Sequence, residues 1–281
     1  MGNNITIADV AEALGVSKTT VSRAISGKGR ISEATRQRVL NYIDEHDYKP
    51  NVIARGLAQS KTFNLCVVMP SNYALVDLPF FQEVIAGMNE YDILLCICEE
   101  NDVSSLERIL RNGKVDGVVL LRTFLHDAQI ELLNEKKIPF VTTGSTTYKK
   151  VKQVDNDHES ACRELTSILL MRGMKRIALL GGSESYVVTQ NRYKGYIEAY
   201  EQMQQNMDES LVYMNLETKP FIDRAVEDAL DKKADCILCM DDAICSQVLR
   251  KLRQEHVKVP DDVKVASFYN SSVLENSIPS I

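Results

Sequence analysis

The segment Ala8-Asp9-Val10-Ala11-Glu12-Ala13-Leu14-Gly15-Val16-Ser17-Lys18-Thr19-Thr20-Val21-Ser22-Arg23-Ala24-Ile25-Ser26-Gly27 reads as two short helices joined by a tight turn. Ile7, Val10, Ala11 and Leu14 fall at helical spacing, and Thr6 stands where an N-cap hydroxyl belongs. Gly15 ends the first helix, because glycine enters the left-handed C′ conformation without a Cβ penalty. Ser17 caps a second helix running to about Ile25, with Val21 and Ile25 spaced to pack inward. A second helix set steeply on the first fits the major groove of DNA, which is about 12 Å wide. Ser17, Thr20 and Ser22 then offer short hydroxyls to phosphates. Lys18, Thr19 and Arg23 fall on the exposed face, and Arg23 suits bidentate recognition of guanine. Taken alone, the segment also fits a small helical domain whose hydroxyl-rich helix is merely solvated.

Downstream, Ser26-Gly27-Lys28-Gly29 reads as a loop, and Ser32 caps a third helix with an apolar stripe of Val39, Leu40 and Ile43. Pro50 interrupts, and residues 51–59 suit one more short helix. From Phe63 the texture changes. Apolar runs at 65–69, 93–97, 115–121, 138–143, 176–181, 211–214, 236–240 and 263–268 are mostly continuous, as in parallel strands buried on both faces. Amphipathic stretches such as Ser160–Met171 and Asp242–Gln254 fill the gaps. Alternating β and α units predict doubly wound parallel sheets. Val115-Asp116-Gly117-Val118-Val119-Leu120 and Ala234-Asp235-Cys236-Ile237-Leu238-Cys239 echo each other, so two lobes of four strands each are expected, with a ligand cleft between them. The fold class is thus an all-α helix-turn-helix head on an α/β body. The expected boundaries are 1–49 for the head, 50–62 for a hinge helix and linker, and 63–281 for an effector-binding and dimerisation domain.

Charge follows the same division. Over the 281 residues, 33 Lys/Arg against 39 Asp/Glu give a net charge of −6. Residues 1–62 hold nine basic and six acidic side chains (+3), and the remainder 24 and 33 (−9). A basic head on an acidic body concentrates attraction to phosphate in one place. Cys66, Cys96, Cys98, Cys236 and Cys239 lie in apolar runs and read as core. Cys236-Ile237-Leu238-Cys239 has the spacing of half a zinc site or a redox motif, but a metal site needs partners and His46, His126, His158 and His256 supply no partner spacing. No metal or other cofactor is expected. With no run of 18 apolar residues and no basic, apolar leader, neither a membrane span nor export is expected, and the cytoplasm is the expected location.

Beyond the helix-turn-helix, Ser32-Glu33-Ala34-Thr35-Arg36, Tyr48-Lys49-Pro50-Asn51 and Ala54-Arg55-Gly56-Leu57 follow in order. So do Pro79-Phe80-Phe81, Asp155-Asn156, Gly173-Met174-Lys175-Arg176-Ile177-Ala178, Arg192-Tyr193-Lys194-Gly195-Tyr196, Asp241-Asp242 and Val259-Pro260-Asp261-Asp262-Val263. With these landmarks the whole chain resembles the lactose-repressor/galactose-repressor family of transcriptional regulators. The resemblance implies a homodimeric repressor on a pseudo-palindromic double-stranded operator, controlled by a small-molecule effector such as a sugar or sugar derivative. The body is expected to be similar to periplasmic sugar-binding proteins. DNA contacts are expected from Thr6, Ser17, Lys18, Thr19, Thr20, Ser22 and Arg23. Asn51, Ala54, Arg55 and Leu57 of the hinge add to these, Leu57 as a wedge between bases.

By the same resemblance, Phe80, Asp155, Arg192, Asp241, Asp242 and Tyr269 are expected around the effector. Arg192 matches an arginine that binds effector hydroxyls or carboxylates. Tyr269 replaces a carboxylate common in sugar-binding members, which removes a strong acceptor for hydroxyls. Asp155, Asp157, His158 and Glu159 cluster in sequence, a pattern that suits a helix cap at a cleft rim better than a metal site. The chain stops at Pro279-Ser280-Ile281, where the family usually continues for another strand-and-helix set. Truncation, missing residues and a degenerate sensing half all fit that observation. No catalytic residue is expected, since Gly181-Gly182-Ser183-Glu184-Ser185 matches neither phosphate-binding pattern nor a nucleophile elbow. The alternative function is a small-molecule binding protein without DNA regulation.

Overall fold

A hydroxyl caps each of the three helices that open the chain. In α1 (Ile7–Leu14) the Thr6 side chain accepts from the Asp9 amide, while the Asp9 carboxylate accepts from the Thr6 amide at 2.7 Å. Ser17 accepts from the Thr20 amide at 3.1 Å to start α2 (Lys18–Ser26), and Ser32 from Thr35 at 3.2 Å to start α3 (Glu33–Glu45). Such caps contribute about 1 kcal/mol each. Val10, Val21 and Val39, one from each helix, meet in the core with Ala11, Ala24 and Tyr48. Burying each valine contributes roughly 1.5–3 kcal/mol. Arg38 of α3 donates to the Leu14 carbonyl and ties α3 to the turn between the first two helices.

A computed structural model describes residues 5–27, 29–48, 56, 60–71, 78–88, 91–268 and 274, with the side chains of Leu78 and Pro79 left out. Met1–Phe63 and Asn64–Ile281 form two separate compact units. The hinge residues Asn51, Ala54, Arg55 and Leu57, and Tyr269 in the body, lie outside the described residues.

The second unit carries two parallel sheets. β1 (Asn64–Pro70), β2 (Asp92–Cys98), β3 (Gly117–Leu120), β4 (Phe140–Thr143) and β5 (Lys152–Val154) form the first, in the order β2-β1-β3-β4-β5. β6 (Ile177–Leu180), β7 (Val212–Tyr213), β8 (Cys236–Cys239) and β9 (Lys264–Ser267) form the second, in the order β7-β6-β8-β9. Every pairing within both sheets is parallel. Helices cover both faces, as the apolar runs predict. On the first sheet, α4 (Leu78–Ala86) packs Phe81 against Val67, Met69 and Val119. On its other face lie α5 (Ser104–Arg111) and α6 (Ala128–Glu135), with Leu106, Ile130 and Leu133 against Cys66, Val118 and Leu120. The second sheet lies between α7 (His158–Met171) with α8 (Val187–Gln202) and α9 (Lys219–Asp231) with α10 (Asp242–Gln254).

Two expectations need correcting. Among the described residues the first lobe has five strands, not four. The extra one, β5, is Lys-Gln-Val with all three residues exposed, so no apolar run announces it. The run at 93–97 is also not buried on both faces. On β2, Cys96 and Cys98 point into the core, while Leu95 and Ile97 are each 53% exposed. Register explains which face stays open. Leu95 pairs with Val67 and Ile97 with Met69, so both lie on the α4 side, at the sheet edge beyond the reach of that helix. The cysteines behave as expected. All seven are free and buried, and burial pushes the Cys236 thiol up to about 12.

Candidate DNA-binding surface and effector cleft

The nine residues of α2 present one polar face. Val21 and Ala24 are buried beneath it, while Lys18, Thr19, Ser22 and Arg23 are exposed above. The helix ends differ electrostatically. α1 has Asp9 in its first turn and α3 has Glu33, but α2 has no acidic residue there. The positive end of the α2 dipole is therefore open to an anion. Hydroxyl duties differ too. Thr6 spends its hydroxyl on Asp9, donating to the carboxylate at 2.8 Å. The Thr6 amide, then the hydroxyl, hold the Asp9 carboxyl below its usual range, so this pair stays committed to capping. Ser17 and Thr20 share a hydrogen bond of 2.9 Å, and one hydroxyl hydrogen of that pair is left for an outside acceptor.

In the body, the close approach of α7 and α8 builds a polar network. A Cβ on Gly195 would sit 2.2 Å from the Glu159 carbonyl oxygen, so only glycine allows the two backbones this near. One turn earlier on α8, Arg192 thereby reaches His158 at the start of α7, with Nη2 3.2 Å from Nδ1. The guanidinium also donates to the Met240 carbonyl and lies 5.7 Å from the centre of the Phe268 ring. An arginine can only donate, so Nδ1 of His158 accepts and its Nε2 carries the hydrogen. Nε2 faces the Asp155 carboxylate at 3.1 Å. Asp155 also accepts from the Ser145 amide at 2.7 Å, from the Ser145 hydroxyl, and from the Asn156 amide at 2.9 Å. Burial pushes the Asp155 carboxyl up, but the bonds from His158 and Ser145 outweigh it and hold the group at about 2. Ser145 and Asp155 follow β4 and β5, whereas Met240 follows β8, so the chain Ser145–Asp155–His158–Arg192–Met240 crosses from one lobe to the other.

The effector residues expected from sequence therefore separate. Asp155 and Arg192 share this network, with Arg192 only 5% exposed. Asp241 caps α10, accepting from the Ile244 amide at 2.8 Å, and Asp242 beside it is 3% exposed. Phe80 stands on α4, 51% exposed, with its ring centre 5.9 Å from that of Phe81. None of them lines the cavity of about 240 Å³ that opens between the lobes. Glu99, Glu100 and Phe124 of the first lobe and Ser183, Tyr186 and Glu217 of the second are among its walls. The lobes meet at its floor. Phe124 and Tyr186 form an isolated antiparallel bridge with ring centres 5.5 Å apart, and the Ser185 hydroxyl donates to Glu100 at 3.0 Å. Sequence reasoning missed these wall residues and the part played by His158. The available signal was position: Glu99, Phe124, Ser183 and Glu217 come just after β2, β3, β6 and β7, at the carboxyl ends where ligands bind open α/β sheets. Among the described residues, no three His, Cys, Asp or Glu side chains converge to hold a metal ion, and no helix is long and apolar enough to cross a membrane.

The family described as "Bacterial regulatory proteins, lacI family" matches residues 6–51, and "Periplasmic binding proteins and sugar binding domain of LacI family" matches residues 62–277. Catabolite control protein A of Staphylococcus xylosus is 31% identical over 99% of this chain and 86% of its own length. The solved transcriptional regulator CelR in complex with cellobiose is 29% identical, with a TM-score of 0.70 over 99% of this chain and 86% of that one. A Lac repressor dimer bound to operator and the anti-inducer ONPF superposes with a TM-score of 0.76 over 99% of this chain and 86% of that one. At 20% identity, that likeness shows the fold alone.

Proposed function

The chain belongs to the lacI family of bacterial transcriptional regulators, and from that premise we propose that it is a dimeric repressor whose grip on a pseudo-palindromic operator is set by a sugar or sugar derivative held between its lobes. It works in the cytoplasm, as a regulator and not an enzyme. The observation that carries the DNA half is α2. Lys18, Thr19, Ser22 and Arg23 stand exposed on one face, Val21 and Ala24 anchor the other, and no carboxylate in the first turn repels a phosphate. Lys18, Thr19 and Arg23 read base edges, while Ser17, Thr20 and Ser22 take phosphates. Thr6 contributes by holding α1. Residues 50–62 are the hinge, where Asn51, Ala54 and Arg55 contact DNA and Leu57 wedges between bases.

The uncovered face of β2 supports the dimer. Leu95, Ile97 and, from α4 on the same side of the sheet, Phe80 are apolar and half exposed, which suits burial against a second copy. The cavity supports the effector. Carboxylates of Glu99, Glu100 and Glu217 accept hydroxyl hydrogens, and the Phe124 and Tyr186 rings offer apolar walls. In this reading Asp155, Arg192, Asp241 and Asp242 form the braced wall behind the ligand, and Tyr269 completes the site. CelR, solved with cellobiose, is the likeness that favours a carbohydrate.

Binding-site selection from a random duplex library tests the DNA half. Wild type should enrich a two-fold symmetric sequence. Arg23→Ala should lose roughly 1–3 kcal/mol of discrimination at one base pair per half-site. Unchanged selectivity in that variant would remove Arg23 from the reading surface.

A further inference from the structure

The loop after α2 touches the same arginine. Gly29 has φ +90, and a Cβ built on it would lie 3.0 Å from Cδ, 3.1 Å from Nε and 3.3 Å from Cγ of Arg23. The stem of Arg23 therefore lies against the Gly29 α-carbon, closer than a Cβ there would allow without the stem giving way slightly. Arg23 is otherwise an exposed, long side chain with many rotamers open to it. Resting the stem on the loop removes many of those rotamers before DNA arrives, and a group ordered in advance binds without the ordering cost. Gly27, at the other side of the loop, differs in one respect. Its φ is +70, also left-handed, but its Cβ would meet Nη1 of Arg36 at 3.4 Å, an ordinary contact that leaves Arg23 alone.

We infer that Gly29 is a positioning residue for operator selectivity, aiming the Arg23 guanidinium at its base pair by giving the stem a place to lie. This rests on the base-reading role of Arg23 given above, and it adds a loop residue that acts through Arg23 to those that set sequence preference. A Cβ at Gly29 crowds the stem, which must give by a few tenths of an ångström, and that shift turns the guanidinium off its wild-type aim. The effect is on discrimination between base pairs, not on phosphate contacts.

The test uses the full chain and two probes: the duplex that wild type enriches from a random library, and the same duplex changed at the base pair whose preference Arg23→Ala relaxes. The ratio of the two affinities is measured for wild type, Arg23→Ala, Gly27→Ala, Gly29→Ala, Gly29→Asn and the double variant Arg23→Ala/Gly29→Ala. Gly29→Asn brings the same Cβ with less backbone strain, because asparagine tolerates positive φ best after glycine, and it serves if Gly29→Ala folds poorly. The ratio should fall roughly 2- to 10-fold in the Gly29 variants and stay at the wild-type value in Gly27→Ala. In the double variant it should match Arg23→Ala alone. A Gly29 variant that behaves like Gly27→Ala, or that lowers the ratio further once Arg23 is gone, overturns the positioning role while the base-reading role stands. If Arg23→Ala itself keeps the wild-type preference at every base pair, both roles fall together.

Discussion

The polar face of α2 and the network around Arg192 use similar side chains to opposite ends. On α2, Lys18, Thr19, Ser22 and Arg23 point away from the core, and what they bind lies outside the chain. Around Arg192 the polar groups point inward: Arg192 donates to His158 and Met240, His158 to Asp155, and Asp155 accepts from Ser145. A substitution on the first surface removes recognition and leaves the fold intact. One in the second network loosens the body first, because an inward polar group that loses its partner keeps its full desolvation penalty. Function in the head thus separates from stability, whereas in the body the two are entangled.

The largest effect expected tests whether α2 alone accounts for recognition. Glutamates at Leu95 and Ile97 together should convert the protein from dimer to monomer in sedimentation. Operator affinity should fall on the order of 10³-fold, toward the non-specific level, with α2 unchanged. A dimer that survives both substitutions would move the interface off β2.

Next comes the network itself. Arg192→Ala should lower stability by roughly 1–3 kcal/mol in urea unfolding, because it orphans the Met240 carbonyl and His158. It should also erase any effect of a bound sugar on operator release. If stability holds and only the ligand response disappears, Arg192 is a contact residue like those of α2, and the contrast drawn above fails.

Acid titration probes the same chain at Asp155. Its carboxyl is held at about 2, below the ordinary 3.8, so its contribution is complete above about pH 4 and is lost as pH falls toward 2. The size is on the order of 2 kcal/mol. Asp155→Asn should flatten the acid limb of the stability curve in that window, and an unchanged limb would show that the network does not titrate there. The smallest effect belongs to Ser17→Ala, which removes the α2 cap and should cost about 1 kcal/mol in thermal unfolding. Operator selectivity should be nearly unchanged, since the cap starts the helix and reads no base.

These cases show which parts of the molecule its sequence displays. Thr6, Ser17 and Ser32 cap by local rules, each bonding an amide three residues on, and the head was legible for that reason. The buried strands were legible because helices on both sides demand continuous apolar runs. β5 was not, since an exposed three-residue edge needs no apolar side chain. The open face of β2 was hidden for the opposite reason: Leu95 and Ile97 have the chemistry of core residues, and sequence does not record which core they join. The cavity walls were hardest to see. Glu99, Glu100 and Glu217 look like solvated glutamates until the fold brings the ends of separate strands together. Arg192 was recognisable by resemblance, but its commitment to His158 and Met240 arises from contacts 34 and 48 residues apart.

Gly195 carries a last implication. With the Glu159 backbone pressed against its α-carbon, α7 and α8 interlock like a tongue in a groove and cannot glide past each other. Any rocking of the lobes must carry the pair as one stiff strut. Deuterium should therefore enter the buried middle of these two helices late, on the timescale of global unfolding, while the amides flanking the cavity exchange early.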